Sequence, residues 1–258
     1  MRALYTAKTG MAAQQLRVDN IANNLANVNT DGFKSTRAEF EDLYYEKVRD
    51  SGGKTEGGKD RSEGVQIGHG SRTAALRRSF SQGAPQPTDN PMDVAIQGDG
   101  FFRVETSDGK ELYTRDGRFQ VDSSGSLVTR QGHTVGGITI PEGAIMSVAD
   151  DGVVTAGIPG EEATEVGRIE LHRFQNPGGL EARGAGLYMA TEASGQASSG
   201  NPGEEGFGST LGGYVEGSNV DIANELIGMI LAQRSYELTS KAINTADEMY
   251  QTTNNLSR

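Results

Sequence analysis

The sequence contains no cysteine and no tryptophan, and only three of its 258 residues are histidine. A chain without cysteine forms no disulfides and has no thiolate chemistry, which suits a protein that works outside a reducing compartment. His69, His133 and His172 lie in separate segments and form no i,i+4 pair, so their spacing does not indicate a zinc site. We therefore expect no metal and no cofactor.

Basic residues are scarce relative to acidic ones, 24 against 35, and the formal net charge is −11. A nucleic-acid-binding protein needs a basic face that displaces counterions from phosphates, so we expect no nucleic-acid partner. Long apolar runs are also absent, and Gln14, Arg17 and Asp19 interrupt the N-terminal region where a signal peptide would be continuously apolar. We expect neither a membrane span nor a cleavable signal.

Sequence patterns for catalysis are missing as well. There is no Gly-x-Ser-x-Gly elbow, and the glycine-rich stretch at 98–101 is followed by a strand pattern, whereas a phosphate loop precedes a helix. The Asp150-Asp151-Gly152 stretch lacks the other oxygen ligands of a calcium loop. These absences predict no catalytic, cofactor-binding or metal-binding residues, and they argue against an enzyme.

Heptad spacing of apolar residues marks both ends of the chain. Apolar residues recur every seven positions near the N-terminus and again near the C-terminus, which predicts two long amphipathic helices. Small residues three positions after the C-terminal set, Ala232, Thr239 and Ala246, would allow another helix to approach closely. The predicted helical assembly interface consists of Leu4, Met11, Val18, Ile21, Leu25, Val28, Ile222, Leu226, Met229, Ile230, Tyr236 and Ile243.

Two arrangements satisfy this pattern. The helices pair within one chain and close a globular domain, or they pair and also pack against helices of neighbouring copies. The segment 222–231 is apolar on more than one face, so a single partner helix would leave part of it in water. This feature favours assembly, but the spacing alone leaves both arrangements open.

The middle of the chain is rich in glycine, with 36 glycines overall, and its short apolar runs alternate with turn dipeptides such as Asp108-Gly109 and Ser124-Gly125. This pattern predicts antiparallel β structure. The predicted fold class is α+β, with paired terminal helices in a coiled-coil-like layer, an extended β-hairpin connector and an antiparallel all-β outer domain. The predicted domains are a helical core (1–30 plus 215–258), a connector (31–91 plus 195–214) and a β domain (92–194).

Three motifs, in order along nearly the whole chain, resemble those of bacterial flagellar rod and hook proteins. The first lies within 22–34, the second includes Gly100–Val104 and Tyr113–Phe119, and the third spans 213–221 and 233–237. The motif residues are Asn23, Asn24, Leu25, Ala26, Asn27, Thr30, Gly32, Phe33, Gly100, Phe101, Phe102, Tyr113, Thr114, Arg115, Gly117, Phe119, Ser218, Asn219 and Val220.

The resemblance implies a structural subunit that polymerises into a tube, with terminal helices inside and β domains outside. Within the family, the start at 4–11 and the segment 40–45 before a glycine-rich insertion point to the distal rod, a rigid drive shaft that transmits torque from motor to hook. The implied location is the flagellar basal body in the periplasm, extending toward the outer membrane. The implied partners are further copies, proximal rod proteins, hook protein, ring bushing proteins and the flagellar type III export apparatus.

Other interpretations of the sequence remain. Within the family, the alternatives are a proximal rod subunit or a hook protein. Outside it, a secreted β-rich binding module accounts for the acidity and the glycine content but not for the terminal helices, and a hydrolase lacks converging catalytic residues.

The polar segment between residues 46 and 64 resembles the region that distinguishes a straight rod from a flexible hook. We expect a stiffening hairpin there, with residues Glu46, Lys47, Asp50, Gly53, Lys54, Gly58, Lys59 and Arg61.

Overall fold

A computed structural model describes residues 2–49, 64–158 and 163–256. These residues form two α-helices, a short 3-10 helix at Pro177–Gly179 and twenty strands. The helices are α1 (Arg2–Ala26) and α2 (Ile222–Leu256). The strands are β1 (Thr36–Asp42), β2 (Tyr45–Arg49), β3 (Val65–Gly68), β4 (Ser71–Arg78), β5 (Pro85–Pro87), β6 (Val94–Gln97), β7 (Phe101–Glu105), β8 (Glu111–Thr114), β9 (Phe119–Val121), β10 (Ser126–Thr129), β11 (Thr134–Thr139), β12 (Ile145–Val148), β13 (Val153–Gly157), β14 (Thr164–Arg168), β15 (Leu171–Arg173), β16 (Glu181–Gly184), β17 (Leu187–Met189), β18 (Ser198–Gly200), β19 (Ser209–Gly212) and β20 (Tyr214–Glu216).

The chain divides into two compact units. The helical unit contains the described residues of Met1–Leu25, Thr36–Arg77 and Asp221–Arg258, and the β unit contains those of Ala26–Ser35 and Arg78–Val220. Two terminal helices and a large antiparallel β region confirm the α+β class. The three-part domain division stays a prediction.

The two helices have well-defined boundaries. α2 begins after Asp221, whose carboxylate Oδ1 accepts hydrogen bonds from the backbone N–H groups of Ala223 at 3.0 Å and Asn224 at 3.2 Å. This is an N-cap, which supplies acceptors to otherwise unpaired N–H groups of the first turn. α1 ends at Ala26, so Val28 of the predicted heptad row lies in the turn beyond the helix. Gly32, six positions beyond the end of α1, has a φ of +66°, a left-handed conformation that favours glycine.

The helical unit also contains two pairs of strands. β1 pairs with β4, and β2 pairs with β3 in antiparallel register, Tyr45 facing Gly68 and Lys47 facing Gln66. Most side chains of β3 and β4 are exposed. Of the predicted hairpin residues, Glu46 and Lys47 lie on β2, whereas Asp50, Gly53, Lys54, Gly58, Lys59 and Arg61 lie outside the described residues.

The β unit is built around a nine-stranded sheet in which every pairing is antiparallel. Its main path has the order β16-β17-β8-β7-β11-β10-β9, and β15 pairs with both β7 and β18. A three-stranded sheet has the order β12-β13-β14, and two further pairs join β6 to β19 and β5 to β20. β18 and β19 lie within 195–214, the second part of the predicted connector, and both are paired to strands of this unit.

Two groups of side chains form the core of the β unit. The larger group is aliphatic with two phenylalanines, and it includes the completely buried Phe102, Leu127 and Leu171. The smaller group is mostly aromatic, with Phe101, Tyr113, Phe174 and Tyr188 packed together with Leu180. The two groups lie on opposite faces of β7, because adjacent side chains of a strand, here Phe101 and Phe102, point to opposite faces of the sheet.

Candidate assembly interface

α2 exposes an unusual amount of apolar surface. Ile227, Ile230 and Leu231 are 57%, 58% and 55% exposed, and the other exposed large apolar side chains among those described in this helix are Ile222, Leu226, Tyr236, Leu238, Met249 and Tyr250. Fully burying an aliphatic side chain of this size stabilises a protein by about 1.5–3 kcal/mol. Covering the exposed face would therefore add a large stabilising free energy that the isolated chain lacks.

One face of α2 packs against α1. A Cβ added at Gly10 would lie 3.9 Å from Thr239 Cγ2, and one added at Gly228 would lie 3.3 Å from Ile21 Cδ1. Nearer the end of α1, Asn24 Nδ2 donates a hydrogen bond to Glu225 Oε1 at 2.8 Å. The position on α2 falls from 239 to 225 as that on α1 rises from 10 to 24, so the helices run antiparallel.

The predicted interface residues divide between covered and exposed positions. Ile21 is buried, and the half-buried members are Leu4, Met11, Val18, Leu25, Val28, Met229 and Ile243. The exposed members are Ile222, Leu226, Ile230 and Tyr236. Ala232 is completely buried, and Thr239 and Ala246 are half-buried, in agreement with the close approach expected of small residues.

Asn24 of the first motif joins three elements of the helical unit. Its side chain is 1% exposed, and it donates to Thr36 O at 2.8 Å while its Oδ1 accepts from Thr36 N at 3.0 Å. With the bond to Glu225, the amide connects α1, β1 and α2. Asn20 adds a second bond to Thr36 O at 2.6 Å. These bonds satisfy backbone groups where the chain leaves the helix for the strand.

A buried cluster of charges connects all three motifs inside the β unit. Lys34 Nζ lies 2.6 Å from Glu216 Oε1, and Arg115 Nη1 lies 3.4 Å from Glu216 Oε2. The three side chains are 0%, 1% and 2% exposed for Lys34, Glu216 and Arg115. Residues of the first, second and third motif thus meet at one point, although 182 positions separate Lys34 from Glu216.

The charges in this cluster are held by additional backbone partners. Lys34 also donates to Ser81 O at 2.8 Å, and Glu216 Oε1 accepts from the N–H of Gly83 at 2.8 Å. Burial lowers the pKa of Lys34, and the contact with Glu216 opposes that shift. Burial likewise lowers the pKa of Arg115. Because charges are costly to bury without partners, each group depends on the others.

Other motif residues bring the same three segments together. A Cβ at Gly32 would lie 2.7 Å from Asp116 N, so only glycine allows this approach of the first motif to the second. A side chain at Gly117 would collide with Val94 O. Asn219 Oδ1 accepts from Ser35 N at 2.7 Å, and its Nδ2 donates to Ser79 O at 2.9 Å.

The remaining motif residues serve the turns and the core. In the sheet, Gly100, Phe101, Phe102, Tyr113, Thr114 and Phe119 are buried. Thr30 Oγ1 donates to Asn27 Oδ1 at 3.2 Å, and Ser218 Oγ accepts from Val220 N at 3.3 Å. Asn23 and Ala26 are exposed, whereas Phe33 is half-buried.

Sequence reasoning missed Lys34 and Glu216 as site residues. Both stand inside the recognised motifs, but a single lysine or glutamate beside a turn normally indicates a solvated surface. The one available signal was that each occupies a motif position beside an apolar residue, Phe33 or Val215. Within the described ranges, no three His, Asp or Glu side chains are placed to hold a metal ion. Nor is any helix in that part of the chain long and apolar enough to cross a membrane.

Comparisons with known proteins identify relatives over the entire chain. Three family models match: "Flagella basal body rod protein" at 4–34, "Flagellar hook protein FlgE/F/G D1 domain" at 95–156 and "Flagellar basal body rod FlgEFG protein C-terminal" at 211–256. The flagellar basal-body rod protein FlgG of Borreliella burgdorferi is 49% identical over 100% of this chain and 99% of its own. The proteins of the same name from Caulobacter vibrioides and Bacillus subtilis are 45% and 40% identical, over 99% and 100% of this chain and 99% and 100% of theirs.

Proposed function

The chain belongs to the flagellar basal-body rod protein family and is a structural subunit of the distal rod, and we propose that its copies polymerise through the terminal helices into a rigid tube. In this proposal the tube is a drive shaft that transmits torque from the motor to the hook. Proteins of this family are structural, and no enzymatic family is indicated.

The exposed apolar face of α2 is the observation that carries the proposal. α1 covers the face of α2 that contains Ala232 and Thr239, and it leaves Leu226, Ile230 and Tyr236 exposed. A monomeric protein rarely exposes so many contiguous apolar side chains, and such a surface normally marks an interaction site. Helices of neighbouring copies, packed in a coiled-coil-like layer, would remove these side chains from water.

A second layer of contact is proposed for the extended segment. β2 and β3 form an antiparallel pair on which Val48, Val65 and Ile67 are 56%, 44% and 43% exposed. A hairpin that reaches a neighbouring copy would connect subunits at a larger radius than the helices do and would oppose bending. In this proposal the predicted stiffening residues, including Glu46 and Lys47, belong to that hairpin.

In the proposed tube, each predicted domain occupies its own layer. Residues 1–30 and 215–258 form the inner helical layer, 31–91 and 195–214 the connector, and 92–194 the outer domain. Proteins of the rod and hook family form helical flagellar assemblies with other rod and hook proteins. For this chain we propose the proximal rod, the hook protein and the ring bushing as neighbours, and the flagellar type III apparatus as its export route.

The substitution Ile230→Asp tests the helical interface. The change places a charge on an exposed position, so the monomer should keep its circular dichroism spectrum and its thermal midpoint. Polymerisation should be lost, because burying an unpaired carboxylate between helices costs several kcal/mol. Asn244→Asp, which adds the same charge at an exposed polar position of α2, is the matched control. Tubes of normal length from Ile230→Asp, seen by electron microscopy, would refute the proposal.

Deleting residues 46–64 tests the stiffening role. None of the described residues in the deleted part belongs to the apolar core of the β unit, so the thermal stability of the monomer should change by less than about 1 kcal/mol. Assembly should continue, but the tubes should be curved in electron micrographs. Tubes as straight as those of the parent would show that stiffness has another source.

A further inference from the structure

A surface pocket of about 240 Å³ opens in the β unit, and Arg115 of the buried charge cluster is one of its lining residues. Its walls include the rings of Phe80, Phe101 and Phe174 together with Asp99, Arg115 and Gln175. Phe101 meets Phe80 and Phe174 edge-to-face, with ring centroids 5.3 Å and 5.8 Å apart. The aromatic rings fix the shape of the pocket, and Arg115 is a deeply buried cation in its wall.

Arg115 has unused hydrogen-bonding capacity at this position. The guanidinium lies over the Phe101 ring at 5.2 Å and reaches Glu216 with Nη1. Its Nε atom is buried and has no hydrogen-bond partner in the part of the chain that the structure describes. An arginine carries five N–H donors in a rigid planar fork, and a buried donor without an acceptor is costly.

The buried cluster of Lys34, Arg115 and Glu216 also contains more positive than negative side chains. Lys34 and Arg115 are both buried against a single carboxylate, Glu216. Asp99 attracts Arg115 electrostatically, but its side chain is exposed, so water screens this attraction. Arg115 lines the pocket, so one more acceptor with a negative charge placed there would balance the charge of the cluster.

We propose that this pocket receives the carboxylate of an aspartate or glutamate from a neighbouring copy of the chain. A carboxylate is the group that pairs best with the planar guanidinium fork, and the aromatic walls would exclude water from the pair. Copies of this chain supply such groups in excess, because each has 35 acidic residues and a net charge of −11. The source of the carboxylate rests on the proposed function, whereas the affinity of the pocket for a carboxylate does not.

Acetate binding to the full-length monomer tests the pocket itself. Sodium acetate should shift the Arg115 Nε–H resonance in a saturable manner, and sodium chloride at the same ionic strength should not. Asp99→Asn removes a competing carboxylate from the rim and should strengthen acetate binding about threefold, the range of an exposed charge pair. Gln175→Glu adds a carboxylate to the wall and should weaken acetate binding, whereas Gln175→Leu should not. The absence of an acetate-specific shift would overturn the proposal.

Assembly of the same variants tests the source of the carboxylate. Gln175→Glu should raise the critical concentration for polymerisation, because the carboxylate in its own chain competes with that of the neighbour, and Gln175→Leu should leave it unchanged. If acetate binds but Gln175→Glu polymerises like the parent, the pocket takes only free carboxylates and the neighbouring copy is excluded. Failure of the parent chain to polymerise would instead refute the proposed function, and the acetate titration would still decide the pocket.

Discussion

The two units of this chain differ in how completely they bury their apolar side chains. In the β unit, Phe102, Leu127 and Leu171 are fully buried within a continuous core. In α2, which has 35 residues, Ala232 is the single buried hydrophobic side chain among those the structure describes. The β unit therefore contains the contacts that stabilise it, whereas the helical unit leaves most of its apolar surface available to other molecules.

In the proposed assembly, this difference allows one chain to combine a stable folded unit with a unit that binds other copies. Ordering a residue costs about 1–2 kcal/mol of backbone entropy, and a helix that buries few side chains recovers little of it. We therefore expect the β unit to stay folded before assembly, and the helices to gain most of their stability when neighbouring copies cover their exposed surface.

The largest expected loss of stability follows from truncating a side chain in the core of the β unit. Phe102→Ala should reduce the free energy of unfolding by about 4 kcal/mol, since Phe102 is fully buried and the truncation leaves a cavity. Ile227→Ala, at a position 57% exposed, should change it by less than about 0.5 kcal/mol. Urea denaturation of the monomer measures both. Equal losses would mean that the two units are equally complete, contrary to the comparison.

A smaller loss is expected at the buried charge cluster. Glu216→Gln keeps the size of the side chain but leaves Lys34 and Arg115 without their counter-charge, so the β unit should lose about 3 kcal/mol. The exposed pair between Arg103 and Glu111 provides the control, and Glu111→Gln should cost less than about 1 kcal/mol. Thermal unfolding compares the two variants. A Glu216→Gln protein as stable as the control would show that the buried cluster does not stabilise the β unit.

The smallest expected effect is a pH dependence that belongs to the β unit alone. Burial lowers the pKa of His172 below its ordinary value of 6.5, with Arg103 contributing to the shift. The unfolded chain therefore binds a proton that the folded chain does not, and stability should fall as the pH drops below about 6.5 toward the lowered folded-state pKa. His172→Gln should flatten this part of the curve of thermal midpoint against pH. An unchanged slope in the variant would assign the effect to other groups.

Much of the fold follows from local patterns in the sequence. The turns predicted at Asp108-Gly109 and Ser124-Gly125 are confirmed, with φ values of +73° at Gly109 and +82° at Gly125. The antiparallel β structure predicted around these turns is present, with β7 paired to β8 across the first and β9 paired to β10 across the second. Such features depend on a few adjacent residues, because turn type and side-chain alternation are local properties.

Partners that are distant in the sequence were not predictable in the same way. The pairing of β5 with β20 and of β6 with β19 depends on which edges meet in space, and an alternating pattern does not encode this. The Lys34–Glu216 contact is similar, since each residue by itself has the pattern of a solvated side chain. Val28 followed the heptad spacing but lies beyond the end of α1, because the turn begins directly after Ala26.

The wide separation of Lys34 and Glu216 along the chain also determines when the β unit closes during folding. The last strands to be added, β19 and β20, pair with β6 and β5, which lie more than a hundred positions earlier. Contacts of such high contact order form late, because the intervening loop must first be closed. A chain that ended at residue 200 would hold Lys34 and Arg115 without their shared carboxylate, because Glu216 would be missing. The cluster can therefore stabilise the folded β unit only when the chain extends through Glu216, which means that nearly the entire polypeptide must be present.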